Sequence, residues 1–163
     1  MPAIFKPIED KDFETIKSIY DYYILNSTAT FHTEPVSIEE LKGSILVNHP
    51  LYYSYRVEYE GKVVGFFYLN AYKNRQAYKR SAEFTLYLLP EFTSKGIGQQ
   101  ILSFGEEQAK AVGLKNLLAV ICAENTASIA LFKRNNYFEC AHFKNIGEKF
   151  ERVLDVVIYQ KEL

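Results

Sequence analysis

The run from Glu83 to Gly98, EFTLYLLPEFTSKGIG, carries a carboxylate on a strand-like segment that passes through Pro90 into two closely spaced glycines, Gly96 and Gly98. From Gln99 onward, QQILSFGEEQAKAVG has helical composition. Unpaired amides at a helix start attract anions, and glycines let a ligand approach the backbone, so the junction is suited to holding a phosphate group. Spacing narrows the ligand. A dinucleotide fingerprint needs a third glycine where Ile101 stands, and a nucleotide-hydrolase loop needs Gly-Lys-Ser/Thr; neither pattern is present. Two glycines also serve an ordinary tight turn, so the weight falls on what surrounds them.

Around this junction the chain alternates helix and strand. After AIFKPI, a first strand, Asp10 is placed to cap a helix running to about Leu25, in which Phe13, Ile16, Tyr20, Tyr23 and Ile24 form one apolar stripe. Asn26 to Pro35 reads as a loop. Ser37 and Glu40 form a capping box for a second helix through Leu41 and Ile45. YYSYRVEY, Glu60-Gly61 and KVVGFFYLNA read as a hairpin, and a strand from Ala82 to Leu89 follows a basic loop. Beyond the glycine-led helix, LLAVICA suits a central strand buried on both faces. Asn125 to Asn135 reads as a helix with Ile129 and Phe132 inward, and YFECAHF pairs with VLDVVIYQ as the last two strands. Without repeats or linkers, the expectation is one domain over residues 1–163, α/β with a mixed sheet.

Composition bounds the function. At 163 residues the chain is long enough for one compact core without metal or disulfides. A net charge of -1 gives no overall attraction to nucleic acid or to an anionic membrane, so any anion site must be local. No apolar run approaches a membrane span, and His32, His49 and His142 are too scattered for a metal cluster. Cys122 and Cys140 lie in apolar, strand-like runs. The first residues, MPAIFKPIED, lack the basic and apolar segments of a signal peptide, so a cytoplasmic protein with reduced thiols is expected.

Five blocks in order, LNSTATFHTEPVS, AEFTLYLLP, KGIGQQIL, AENTASIALF and IGEKFERVLDVVIYQKEL, resemble the acetyl-CoA-dependent GNAT N-acetyltransferases. Within that superfamily they are similar to the phosphinothricin and methionine sulfone/sulfoximine acetyltransferase group. The likeness covers nearly the whole chain. It implies a mixed sheet of roughly seven strands flanked by about four helices. The fourth and fifth strands would splay apart around the pantetheine arm of acetyl-CoA, and no metal is needed.

Acyl transfer to an amine needs the neutral amine, whereas an alkylamine near pKa 10.4 is mostly protonated at neutral pH, a deficit of about 4–5 kcal/mol. The resemblance places Glu83 as the group that removes the proton, directly or through water, with Thr85, Tyr87 and Leu89 on the same strand face. It also puts the pyrophosphate on the amides of Gly96, Ile97, Gly98, Gln99 and Gln100, and the pantetheine arm along the backbone of Leu88 and Leu89. Asn125 matches an arm-contacting asparagine, with Ser128 one turn on; a helix cap is the plainer reading of either. For the acceptor, the resemblance points to Phe31, Thr33, Arg75, Tyr78 and Tyr87. The basic loop AYKNRQAYKRS would suit an acceptor carboxylate, although solvated loop charges explain it equally.

Some positions depart from the pattern. Thr93 stands where the superfamily usually has Gln or Arg, and Phe132 where relatives place a Tyr or His that protonates the departing thiolate. His32, Lys79 and Arg80 differ from the phosphinothricin acetyltransferase pattern, so another small amino acid or analogue is an open acceptor. Two other readings stand beside direct transfer in a ternary complex: an acyl-CoA-binding sensor without turnover, and acetylation of a protein or aminoacyl-tRNA. The many tyrosines and phenylalanines suit an exposed aromatic face and a homodimer, as in relatives.

Overall fold

A computed structural model describes residues 1–163. The strands are β1 (Ile4–Pro7), β2 (Ser54–Tyr59), β3 (Lys62–Ala71), β4 (Ser81–Leu88), β5 (Asn116–Cys122), β6 (Phe138–Lys149) and β7 (Arg152–Glu162). The helices are α1 (Phe13–Asn26), α2 (Ile38–Ser44), α3 (Ile97–Ala111) and α4 (Thr126–Arg134). All seven strands form one mixed sheet, as expected; their order is β1-β2-β3-β4-β5-β7-β6, and β4 and β5 are its parallel pair.

Local chemistry explains most boundaries. Glu60 (φ 50°) and Gly61 (φ 78°) are both left-handed, the two-residue turn whose twist matches a hairpin. Ser37 Oγ accepts from the Glu40 N–H at 3.1 Å and starts α2. The start of α1 differs from expectation. Asp10 sits in a short 3-10 turn and its carboxylate pairs with Lys42 instead, while Asp12 accepts the Glu9 N–H at 2.8 Å and holds Arg56 at 2.9 Å. Asp12 is closer to the sheet, where Arg56 supplies a second partner. β4 stops at Leu88, where Pro90, with its φ fixed near the helical value, opens another 3-10 turn.

Helices cover both faces of the sheet. On one side α1 and α2 bury Phe13, Ile16, Ile19, Ile24, Leu41 and Ile45 against Phe66. On the other, α3 and α4 bury Ile101, Leu102, Ala109 and Phe132 against Phe67, Phe84, Leu117 and Val157. Gly105 sets how closely α3 lies on β4, since a Cβ there would overlap the Phe84 ring. This close approach fixes the start of α3 relative to the end of β4.

β5 departs from its expected burial. Leu117, Ala119 and Ile121 are buried, but Val120 is 45% exposed. An apolar run shows that a strand is surrounded by hydrocarbon, not how many strands flank it. Here β4 and β5 pair only at Ser81–Asn116, Ala82–Leu117 and Glu83–Leu118, and then diverge, leaving Val120 beside open space.

Candidate active site

The divergence of β4 and β5 makes a cavity of about 850 Å³. Its walls carry unpaired strand edges. Leu89 N–H donates to Val64 O at 2.8 Å, so the odd-numbered residues of β4 bond to β3 and the even-numbered ones turn their backbone groups toward β5. Past Glu83 no strand meets them, and the N–H and C=O of Leu86 face the gap. On the opposite wall Ala123 N–H donates to Asp155 O at 2.9 Å, which leaves the backbone of Val120 on the gap side by the same alternation. An extended ligand with amide groups can therefore hydrogen-bond here as an added strand would.

One end of the cavity is the glycine turn. Ser94 (φ 60°) and Gly96 (φ 80°) are left-handed, and Gly96 precedes the first residue of α3. No protein group accepts from the amides of Ser94, Lys95, Gly96, Ile97, Gly98 or Gln99. Gln100 is the exception among the expected anion-binding amides. Its N–H bonds to Gly96 O at 3.3 Å, the first bond of the helix, and its side chain accepts from Ala3 N–H at 2.7 Å. The bare amides lie at the positive end of a 15-residue helix, which suits a pyrophosphate. Thr93 also lines the cavity, but its hydroxyl donates to Pro90 O at 2.7 Å.

Gln99 and Asn135 exchange side-chain amide bonds at 2.6 and 3.0 Å, which ties the start of α3 to the end of α4. Asn125 caps α4 by accepting from Ser128 N–H at 3.2 Å, and both residues line the cavity. Capping and ligand contact are thus compatible at this position.

Glu83 projects on the face of β4 shared with Thr85 and Tyr87, opposite Asn70 of β3 and Leu118 of β5. It pairs with no cation, and burial alone pushes its carboxyl above the usual carboxylate range. Glu83 does not itself line the large cavity. Two residues to one side, Thr85 does; two residues to the other, Ser81 lines a smaller cavity of about 330 Å³ with Tyr72, Tyr78 and Leu118. The carboxylate therefore stands at the partition between two spaces on one sheet face.

The structure gathers Tyr87, Leu88, Gly96, Gly98, Gln99, Asn125 and Ser128 around the large cavity. Ile97 is fully buried beneath the turn and can contribute only its backbone. Leu89 spends its N–H on β3, so the open edge of β4 belongs to Leu86 and to the N–H of Leu88, whose carbonyl the Tyr23 hydroxyl takes. Tyr78 borders the small cavity. Arg75 and Thr33 are exposed outside both, and Phe31 lays its ring against Gly147 of β6.

Several cavity residues were missed from sequence: Tyr23, Thr28, Ala29, Glu124, Phe150 and Arg152. The Tyr23 hydroxyl, its pKa pushed up to about 12 by burial, donates to Leu88 O. Glu124 accepts from Arg152 at 2.8 and 2.9 Å and from the Thr28 hydroxyl at 2.5 Å, which together hold its carboxyl down to about 2. Thr28 and Ala29 lie in LNSTATFHTEPVS, Glu124 in AENTASIALF, and Phe150 and Arg152 in IGEKFERVLDVVIYQKEL, but only the fold shows that their side chains converge with Tyr23.

The family described as "Acetyltransferase (GNAT) domain" matches residues 5–158. A phosphinothricin N-acetyltransferase of Streptomyces coelicolor is 28% identical over 97% of this chain and 95% of its own length. The L-methionine sulfoximine/L-methionine sulfone acetyltransferase of Pseudomonas aeruginosa is 27% identical, covering 100% of this chain and 96% of its own. Among solved structures, a GNAT superfamily phosphinothricin acetyltransferase of Sinorhizobium meliloti in complex with AcCoA superposes with a TM-score of 0.92. It is 31% identical over 100% of this chain and 89% of that one.

Proposed function

The chain belongs to the acetyltransferase (GNAT) domain family, and from that premise we propose that it transfers the acetyl group of acetyl-CoA to the primary amine of a small amino acid or amino-acid analogue. The observation that carries this reading is the slot between β4 and β5, with strand edges open at Leu86 and Val120 and six bare amides at its end. Its volume and donor set suit coenzyme A. The amides of Ser94 to Gln99 would hold the pyrophosphate, and the backbone of Leu86 and Leu88 with the side chains of Asn125 and Ser128 would hold the pantetheine arm.

Bound acetyl-CoA supplies an acyl carbon activated as a thioester, so that an N–C bond forms as the C–S bond breaks. Glu83 takes the amine proton, directly or through one water. Its raised pKa brings the base closer in proton affinity to the ammonium it must discharge. A free amide on the β4 edge polarises the thioester carbonyl. Phe132 has no proton to give, and the Tyr23 and Tyr87 hydroxyls are engaged by Leu88 O and Ala29 O. The thiolate therefore departs as the anion, tolerable for a thiol whose pKa is near 8.5.

The acceptor lies across the face of Glu83, between the Ser27–Phe31 loop and Tyr78. Order of addition is a ternary complex with direct attack. We read residues 1–163 as a single domain, supported by one sheet running from Ile4 to Glu162. A homodimer is supported by apolar side chains exposed on the outer hairpin: Phe138, Phe143, Ile146 and Val153. Two free thiols support a cytoplasmic setting. Thiol release from acetyl-CoA across a panel of amino acids, including phosphinothricin and methionine sulfoximine, tests the activity. A folded protein that binds acetyl-CoA and consumes none with any amino acid would return the sensor reading.

A further inference from the structure

Lys149, the last residue of β6, is only 3% exposed and pairs with no carboxylate. Its ammonium donates to Ser27 O and Thr30 O, both at 2.7 Å. Burying an ammonium without an anion is costly even when carbonyls accept from it, so what those carbonyls belong to bears on why this one is kept. Burial lowers the Lys149 pKa accordingly.

What it holds is the Ser27–Thr30 turn, and this turn has little structure of its own. Ser27 N–H bonds back to Tyr23 O, no backbone–backbone hydrogen bond involves residues 28 to 36, and the local support is Ala29 N–H donating to Ser27 Oγ at 2.8 Å and His32 N–H to Thr30 Oγ1 at 3.4 Å. Its shape is imposed by side chains from distant elements. Tyr87 of β4 donates to Ala29 O, the Tyr20 hydroxyl meets Thr30 Oγ1 at 2.7 Å, and the Thr28 hydroxyl reaches Glu124. Lys149 alone takes two carbonyls, and they bracket Thr28 and Ala29, the residues that line the large cavity on the side of Tyr87. The turn after Lys149 places Phe150 and Arg152 in the same cavity, and the Phe31 ring rests on Gly147 two residues before it. One ammonium thus ties together the two chain segments that wall this end of the slot.

We infer that Lys149 is a positioning residue for the acceptor: it fixes the Ser27–Phe31 wall against the β6–β7 turn and so sets acceptor affinity, without touching acetyl-CoA. The inference rests on the amino-acid acetyltransferase reading above. Lys149 hydrogen-bonds to neither the Ser94–Gln99 amides nor the β4 backbone, so the two substrates should separate in their response.

The test is steady-state kinetics of Lys149→Met and Lys149→Gln in the full chain, varying acceptor and acetyl-CoA independently. In Lys149→Met the acceptor KM should rise about tenfold or more, the scale of two charge-assisted bonds lost, while the acetyl-CoA KM stays within about twofold. Lys149→Gln keeps a shorter neutral donor and should fall between Met and wild type. It also supplies the measurement if the Met variant does not fold. An unchanged acceptor KM in either folded variant overturns the inference, as does an acetyl-CoA KM that rises in parallel. A wild-type protein that acetylates no amino acid sinks the functional reading itself, whereas an active wild type with unresponsive variants sinks only Lys149.

Discussion

Replacing Glu83 by Gln separates its role in chemistry from its role in folding, because the two effects have opposite signs. In the native state the carboxyl is partly buried, lacks a cation, and titrates above its ordinary value. Between the unfolded pKa and that raised value the folded protein binds more protons than the unfolded chain. Stability is therefore highest below the unfolded pKa and falls as pH rises through the native one, by about 1.4 kcal/mol for each unit of upward displacement. Glu83→Gln removes the ionisation while keeping the shape, so at pH 8 its Tm should exceed that of the wild type, and at pH 4 the two should converge. Activity runs the other way. Loss of a positioned base costs about 10²–10⁴-fold, and the amine's deprotonation deficit of about 4–5 kcal/mol at neutral pH is then unassisted. The kcat/KM of the variant at pH 7 should be lower by a factor in that range, its acid limb should move up to follow the amine alone, and the gap to wild type should narrow near pH 10, where the amine is neutral unaided. Thiol release followed from pH 5 to 10, with melts at pH 4 and 8, reads all of this. Full activity at pH 7 refutes the base; a lower Tm at pH 8 refutes the argument that the charge is unpaired and destabilising.

Other substitutions probe the frame around the slot. A Cβ on Gly98 would lie 3.0 Å from Leu131 Cδ2, so Gly98→Val should displace the start of α3 from α4 and raise the acetyl-CoA KM about tenfold, with kcat less affected. Equal KM values would mean that the amides do not grip the donor. Gly105→Ala drives a methyl into the Phe84 ring and should cost about 1–3 kcal/mol in chemical denaturation despite the better helix former; a variant as stable as the parent contradicts the close crossing. Arg152→Ala should return the Glu124 titration, held at about 2, toward its ordinary value in carboxyl NMR. The stabilising contribution of that pair is present above the unfolded pKa and lost as pH falls through about 2, so the variant's deficit should shrink in acid.

Local chemistry was legible in the chain. Glu60-Gly61, the Ser37 box and the stripe of α1 each depend on neighbours within a few positions, and the glycine turn follows β4 directly. The family blocks marked Glu83, Gly96 and Asn125, and the fold places the last two around one cavity and Glu83 at its border. Partners far apart in sequence were not legible. Tyr23 meets Leu88 across 65 positions, Thr28 meets Glu124 across 96, and Lys149 meets Thr30 across 119. No periodicity encodes such pairs, because they exist only once the sheet order brings the α1–α2 loop beside the β6–β7 turn. The basic loop divides for a related reason: its cations, Arg75 among them, are exposed, while Tyr72, Tyr78 and Ser81 of the same segment border the small cavity.

Within the sheet, only three residue pairs stitch the β1–β4 half to the β5–β7 half, like a zipper halted partway along. A molecule that fills the remaining seam finishes the closure, and one that binds only the folded protein adds about 2.7 kcal/mol at a hundredfold excess over its Kd. The durability of this protein in a cell should then track the supply of its acyl donor.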